Sequence, residues 1–488
     1  MLPGERLEKR GMEMKRVAIV GGGITGLAAA FVLHRARQEG KPVDYFLIEK
    51  EQRVGGKILT EEIDGFVIEG GPDCFVSEKP GVFNLSRMVG IEDRIMGSSD
   101  AARRTFVLSG GRLLELPEGL MSLVPTKIIP FALSPLISWP GKIRMAMDFF
   151  IPPKKDDSDE TLASFVRRRL GQEALDKIAE PLIGGVHASD PEKMSLKATF
   201  PRFLQMEKEY GSLIRAMLAA KKRAEAYARK NPPAPGAKKK TFFMTFIKGM
   251  GELPEAVYAK LDRERVVLGQ TVTGLLVREE GGKKVYTLAW GEGQKGDFDA
   301  VILALPADEA AVLMEKVDRQ IAENLAAIPM ASSATISLAW RKEDLPVKLE
   351  SYGFVVPLVE KRRIMATTFS SCKWAHRTPG KDFVLLRAFV GGARNQHLVE
   401  LGDKELLQLV REELADILGI TKEPYLYRIY RWPRGMPQYV LGHLERLGRV
   451  EERLRDFPGL YIVGGSYRGV GIPDCINAGI TAAEKALV

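Results

Sequence analysis

The stretch Val17-Ala18-Ile19-Val20-Gly21-Gly22-Gly23-Ile24-Thr25-Gly26 joins an apolar β-type run, from Arg16, to an alanine-rich helix reaching about Gln38. Gly21, Gly23 and Gly26 have dinucleotide spacing. The first permits a tight turn, the second lets backbone approach a pyrophosphate, and the third lets helix and strand pack closely. Backbone N–H groups around Gly22, Ile24 and Thr25 then face the phosphates at the positive end of the helix. A second apolar run, Tyr45–Ile48, ends at Glu49, which lies 23 residues beyond Gly26. A carboxylate there accepts hydrogen bonds from ribose hydroxyls and repels a 2′-phosphate. The glycine pattern alone is weak evidence; the strand before it, the helix after it and the acid beyond make it specific.

Two further turns narrow the dinucleotide to FAD. Arg53-Val54-Gly55-Gly56-Lys57 sets two glycines between cations just past the ribose carboxylate, suited to a second approach to the pyrophosphate. Plain NAD dehydrogenases usually lack this element. Glu69-Gly70-Gly71-Pro72-Asp73 is a rigid turn able to bring backbone near a flavin. No second glycine-rich nucleotide turn appears between about residues 100 and 460, which favours oxidase over reductase chemistry.

Beyond residue 80 the chain reads mostly helical to Leu218, with amphipathic segments at Thr161–Leu170 and Ser212–Ala228, and residues 231–240 read as a loop. Short β runs follow at Val266–Leu268, Val272–Val277, Val285–Trp290 and Ala300–Leu305, then a mixed region with a helix near Lys404–Leu418. The end is a strand, Leu460–Val463, a glycine turn and a helix from about Asp474. The expected fold is α/β (α+β overall), with a discontinuous Rossmann-like FAD-binding domain built from residues 14–79, 236–306 and 441–488. Residues 80–235 form a mainly helical insertion with part of a substrate domain, and 307–440 the mixed-sheet substrate domain.

The 488 residues, 45% hydrophobic, suffice for two or three domains. Cys74, Cys372 and Cys475 are too few and scattered for a disulfide framework or zinc cluster, which fits a reducing cytoplasm. The five histidines show no metal-ligand spacing, so no metal is expected. The net charge of +9 comes partly from runs at residues 167–169, 221–223 and 238–240, read as solvated faces or a loop; no nucleic-acid motif accompanies them. The charged residues 1–15 contain no signal-peptide core, and Met12 or Met14 could be the natural start. Leu120–Trp139 is apolar but holds three prolines and Lys127, so it should lie on a membrane surface or line a pocket, not cross a bilayer.

These residues resemble the amine-oxidase-like FAD superfamily and, within it, the porphyrinogen oxidases of haem synthesis, notably the bacterial coproporphyrinogen III oxidases. The resemblance rests on Gly21–Ala30, Arg53–Lys57, Gly71–Phe75, Pro181–Ser195, Trp432–Tyr439 and Gly464–Ile476, nearly the whole chain after residue 14. The first two segments are superfamily-wide and the last three more specific. It implies that Gly21, Gly22, Gly23, Ile24, Thr25, Gly26, Glu49, Lys50, Lys57, Gly71, Pro72, Asp73 and Cys74 bind FAD. Val272 would meet the adenine part through backbone, Trp432 the flavin, and Gly471, Ile472 and Pro473 its pyrimidine end. Gly464-Gly465-Ser466 replaces the superfamily's acidic residue, as it does in the porphyrinogen-oxidase branch.

The implied reaction acts on CH–CH groups: three two-electron flavin turnovers take coproporphyrinogen III to coproporphyrin III, with dioxygen as acceptor and hydrogen peroxide released. The flavin carries the redox chemistry and the protein orients and desolvates; no catalytic side chain is assigned. Four propionates call for cations, and Lys79, Arg434 and Arg468 are the candidates by their nearness to flavin motifs. The resemblance also leaves room for weak membrane-surface contact and transient contact with other haem-synthesis enzymes. Protoporphyrinogen IX oxidation is the alternative, an amine oxidase a more distant one, and a non-catalytic flavin-binding partner a reading from another class.

Overall fold

In a computed structural model, residues 14–121, 123–125, 127–185, 187–231 and 241–488 are described. Met12, most of the 231–240 loop with its lysine run, and Val186 lie outside the described residues. A five-stranded parallel sheet anchors the molecule, in the order Val266–Val267, Val43–Ile48, Lys15–Val20, Ala300–Leu303, Leu460–Ile462. Its strands are short and buried on both faces, as parallel strands under helices must be. The helix Ile24–Gln38 and the C-terminal helix Ile472–Leu487 cover one face. An antiparallel meander, Val272–Glu280, Lys283–Trp290 and Gln294–Phe298, covers the other with the helices Ala307–Met314 and Arg319–Ala326.

A seven-stranded mixed sheet forms the second body, in the order Leu426–Pro437, Met330–Arg341, Phe383–Gly391, Ile364–Phe369, Gly353–Val355, Phe106–Ser109, Arg112–Glu115. The helix Asp403–Leu418 packs on one side of it. On the other, the hairpin Thr60–Ile63/Phe66–Glu69 contributes Phe66 and Ile68 to a cluster with Ala339, Leu385 and Tyr430. That hairpin leads directly into the Gly70–Cys74 turn, so the turn is held between the two bodies.

The helical reading of residues 80–218 needs correcting. Apart from Gly81–Val89, helices begin only at Ile128; before that lie Ile95–Gly97 and the hairpin Phe106–Ser109/Arg112–Glu115, which extends the seven-stranded sheet. The physical signal is Gly110-Gly111, both at positive φ, a two-residue hairpin turn that apolar periodicity does not reveal. Leu162–Arg169 and Leu213–Lys230 are helical as expected. Between them, Leu175–Gly184 is a π-helix: Pro181 lacks an N–H, and Gly185 donates to the Glu180 carbonyl. No helix among the described residues is long and apolar enough to cross a membrane.

Candidate flavin site

The glycine turn closes as its spacing requires. A Cβ on Gly26 would overlap the Gly21 carbonyl oxygen, so only glycine lets the helix start this close to the strand. The helix has Gly23 at its N-cap with no side-chain cap, and no acidic residue in its first turn. Its first N–H groups and positive dipole end are therefore available to an anion. The space over Gly23 is open, with nothing within 4 Å of where a Cβ would stand. Gly55 donates to the Gly22 carbonyl at 2.8 Å, which draws the Arg53–Lys57 turn against the first. Arg53 is spent internally, donating to the carbonyls of Val54, Ile58 and Gly56.

Glu49 ends its strand with its carboxylate over the same turn. One oxygen accepts from Gly22 N–H at 2.5 Å and the other from Glu51 N–H at 2.8 Å, leaving lone pairs for hydroxyl donors. Its backbone is clasped by Val267 and Gln270. Gln270 lies two residues before Val272, which starts the meander. Lys50 points elsewhere, to Glu309 at 2.8 Å. Lys57 makes no hydrogen bond or ion pair among the described residues; its side chain reaches solvent, yet enough protein surrounds it for desolvation to lower its pKa. A partnerless cation in a cleft beside an uncapped helix start suits the pyrophosphate of a dinucleotide.

The Gly70–Cys74 turn is pinned from behind. A Cβ on Gly71 would overlap the Lys57 carbonyl oxygen, so this turn and Arg53–Lys57 touch backbone to backbone. The Gly70 carbonyl accepts three hydrogen bonds: from Trp432 Nε1 at 2.8 Å, Thr335 Oγ1 at 3.1 Å and Arg387 Nη2 at 3.2 Å. Asp73 accepts from Lys373 Nζ at 2.9 Å and Trp374 Nε1 at 3.2 Å, and Cys74 Sγ bonds to its other oxygen. Lys373 and Arg387 hold the Asp73 carboxyl well below the usual range despite burial, and burial pushes the Cys74 thiol up to about 12. Cys74 is thus no nucleophile at neutral pH. Residues Gly71–Cys74 are half-buried, with Pro72 between the two anchored ends.

At the far end, Gly471 caps the C-terminal helix, with Ile472 and Pro473 in its first turn. Tyr439 donates to the Gly465 carbonyl and stacks on His443, which bonds to the Tyr467 carbonyl. This scaffold fixes the Gly464–Pro473 segment.

The three candidate substrate cations are not gathered into one pocket. Lys79 reaches both oxygens of Asp474, at 2.8 and 2.7 Å, tying the segment after the Gly70–Cys74 turn to the C-terminal helix. Arg434 pairs with Asp308 at 2.6 Å and Arg468 with Glu451 at 2.7 Å. Arg434 holds a left-handed backbone, φ 49°, that only a fixed surrounding would maintain in a non-glycine residue.

Sequence reasoning missed the residues behind the turn, Lys373, Arg377 and Arg387, and also Glu180. Glu180 and the π-helix line a small cleft with Gly184, Val356, Met365, Gly392 and Arg394. Burial pushes its carboxyl up to about 7, although it accepts from Leu358 N–H. His187, in the same segment, packs edge-on against Phe200, and burial lowers its pKa to about 4. Apolar periodicity does not reveal the π-geometry around Pro181.

Residues 24–487 match the family model of the flavin containing amine oxidoreductases. The chain is 36% identical to the coproporphyrinogen III oxidase of Bacillus subtilis (strain 168) over 476 residues, 97% of this chain and 98% of that one. It is 31% identical to the coproporphyrinogen III oxidase of Staphylococcus aureus (strain NCTC 8325 / PS 47), covering 97% and 99%. A crystal structure of a candidate protoporphyrinogen oxidase from Exiguobacterium sp. 255-15 superposes with a TM-score of 0.83 at 33% identity, covering 98% and 99%.

Proposed function

The chain belongs to the flavin containing amine oxidoreductase family, and from that premise we propose that it is the FAD-dependent oxidase that takes coproporphyrinogen III to coproporphyrin III in haem biosynthesis. The observation that carries this reading is near-full-length similarity, at 31–36% identity, to bacterial proteins named for that reaction. When bound, FAD supplies the two-electron redox chemistry. The chain's own work is to hold it. The uncapped helix start, Lys57 and the Gly21–Gly26 turn suit the pyrophosphate, Glu49 the ribose, and Val272 the adenine side. The Gly71–Cys74 turn, Trp432 and the Gly471–Pro473 segment surround the place left for the ring. Dioxygen is the acceptor in this reading, with hydrogen peroxide released, and the enzyme works in the cytoplasm.

For the substrate, Lys79, Arg434 and Arg468 remain the proposed propionate partners. Each would have to exchange its carboxylate partner for a propionate, a trade of one ion pair for another. An exposed apolar ridge supports weak contact with a membrane surface: Ile128, Ile129, Leu133, Trp139, Ile143 and Phe150 are 63–85% exposed, with Lys127 and Lys142 alongside. The same ridge could receive other haem-synthesis enzymes in passing.

The test is porphyrin fluorescence from coproporphyrinogen III and protoporphyrinogen IX, side by side, with peroxide measured in the same cuvette. Faster appearance of coproporphyrin with peroxide supports the reading. A preference for the dicarboxylate would replace it with protoporphyrinogen oxidation.

A further inference from the structure

Behind the Gly70–Cys74 turn, five ionisable side chains lie together, four of them buried and Asp73 half-buried. Glu69 pairs with Arg377 at 2.7 Å and Asp73 with Lys373 at 2.9 Å. Arg387 has no carboxylate partner among the described residues; its Nη2 donates instead to two consecutive carbonyls, Gly70 at 3.2 Å and Gly71. The other titratable neighbours are neutral: burial raises the Cys74 thiol and the Tyr430 hydroxyl and lowers His376. Three cations therefore face two carboxylates, a surplus of one positive charge, and Arg377 and Arg387 are only 1% and 4% exposed. The arginines also leave Nη1 of Arg377 and Nε of Arg387 without partners. Burying an unbalanced charge is costly, and a neutral core would be cheaper to fold.

Hydride transfer delivers two electrons with one proton, so the ring that accepts it gains one negative charge. A desolvated cation nearby favours that charged state, because the interior screens poorly. We propose that Arg387 is a positioning residue that fixes the flavin-facing turn through the Gly70 and Gly71 carbonyls, and that the surplus charge it brings raises the reduction potential of the bound flavin. The inference rests on the proposed placement of the flavin against this turn.

The experiment is a reductive titration of the FAD-loaded protein and three variants. Arg387→Met cancels the surplus and is expected to shift the oxidised-to-reduced ratio at least tenfold toward oxidised at fixed potential, a fall of about 30 mV. Asp73→Asn doubles the surplus and is expected to move the potential upward by a similar amount. Arg387→Lys keeps the charge but loses the two-carbonyl grip, so its potential stays near wild type while its FAD dissociation constant rises severalfold. Opposite shifts are not what simple structural damage produces. Should Arg387→Met fail to hold FAD, Lys373→Met removes a charge without touching the turn carbonyls and is expected to lower the potential too. Same-direction shifts, or no shift in the charge variants, overturn the inference. Wild-type porphyrinogen turnover, measured alongside, reports separately on the functional reading.

Discussion

The two walls of the cleft are built on different principles. The nucleotide wall is mostly backbone: Gly21–Gly26, Gly55 and Gly56 bring main-chain groups close together, with Glu49 and Lys57 beside them. The wall behind the flavin-facing turn is mostly side chain. Its carbonyls are held by Arg387, Trp432 and Thr335, and its charges lie buried beneath. A backbone wall binds phosphates with geometry any chain can supply if its glycines permit; a side-chain wall sets the electrostatics of what it faces. Recognition of the cofactor is therefore assigned to one side and tuning of its chemistry to the other.

The comparison can be broken at either wall. The largest effect is expected from Gly26→Val, whose side chain has no room beside the Gly21 carbonyl: FAD affinity should fall about a hundredfold or more, roughly 3 kcal/mol, read by retention of yellow colour on gel filtration. Arg377→Met leaves Glu69 buried without its partner and should cost about 3–5 kcal/mol in urea unfolding. An effect under about 1 kcal/mol would show that the cluster is less desolvated than its exposure indicates.

Glu180 gives a pH test of the separate cleft beside the π-helix. Its folded pKa is raised to about 7 from an ordinary 4.5, so the stability it contributes is complete below about pH 4.5 and is lost as pH rises to about 7. Glu180→Gln should remove that fall, on the order of 3 kcal/mol, in stability measured from pH 4 to 8. An unchanged slope would assign the pH dependence to other groups. Trp432→Phe removes one of three donors to the Gly70 carbonyl and should weaken FAD about fivefold, or about 1 kcal/mol. The smallest effect belongs to Lys79→Ala, which breaks an exposed pair with Asp474: stability should change by less than about 1 kcal/mol, while the apparent KM for a tetracarboxylate rises. An unchanged KM would remove Lys79 from the substrate partners.

The two walls also differ in how far they can be read from sequence. Gly21 to Lys57 is one short stretch whose strand, turn, helix and acid announce themselves by spacing, and the fold class follows from it. Lys373, Arg377 and Arg387 sit in an unremarkable β-rich region, and nothing in their order signals that Lys373 meets Asp73 some 300 positions earlier. Strand pairing between Met330–Arg341 and its neighbours creates that meeting, and pairing is a property of topology. The hairpin at Gly110-Gly111 is hard to read for a related reason: its first strand, Phe106–Ser109, pairs with Gly353–Val355 far along the chain, so local apolar pattern says little about it.

The most direct test of the account is to mix the FAD-loaded protein with coproporphyrinogen III in the absence of oxygen. Bleaching of the flavin's visible absorption, recovered when air is admitted and accompanied by porphyrin fluorescence, is the predicted result. A flavin that stays oxidised while the porphyrinogen remains unchanged would contradict it.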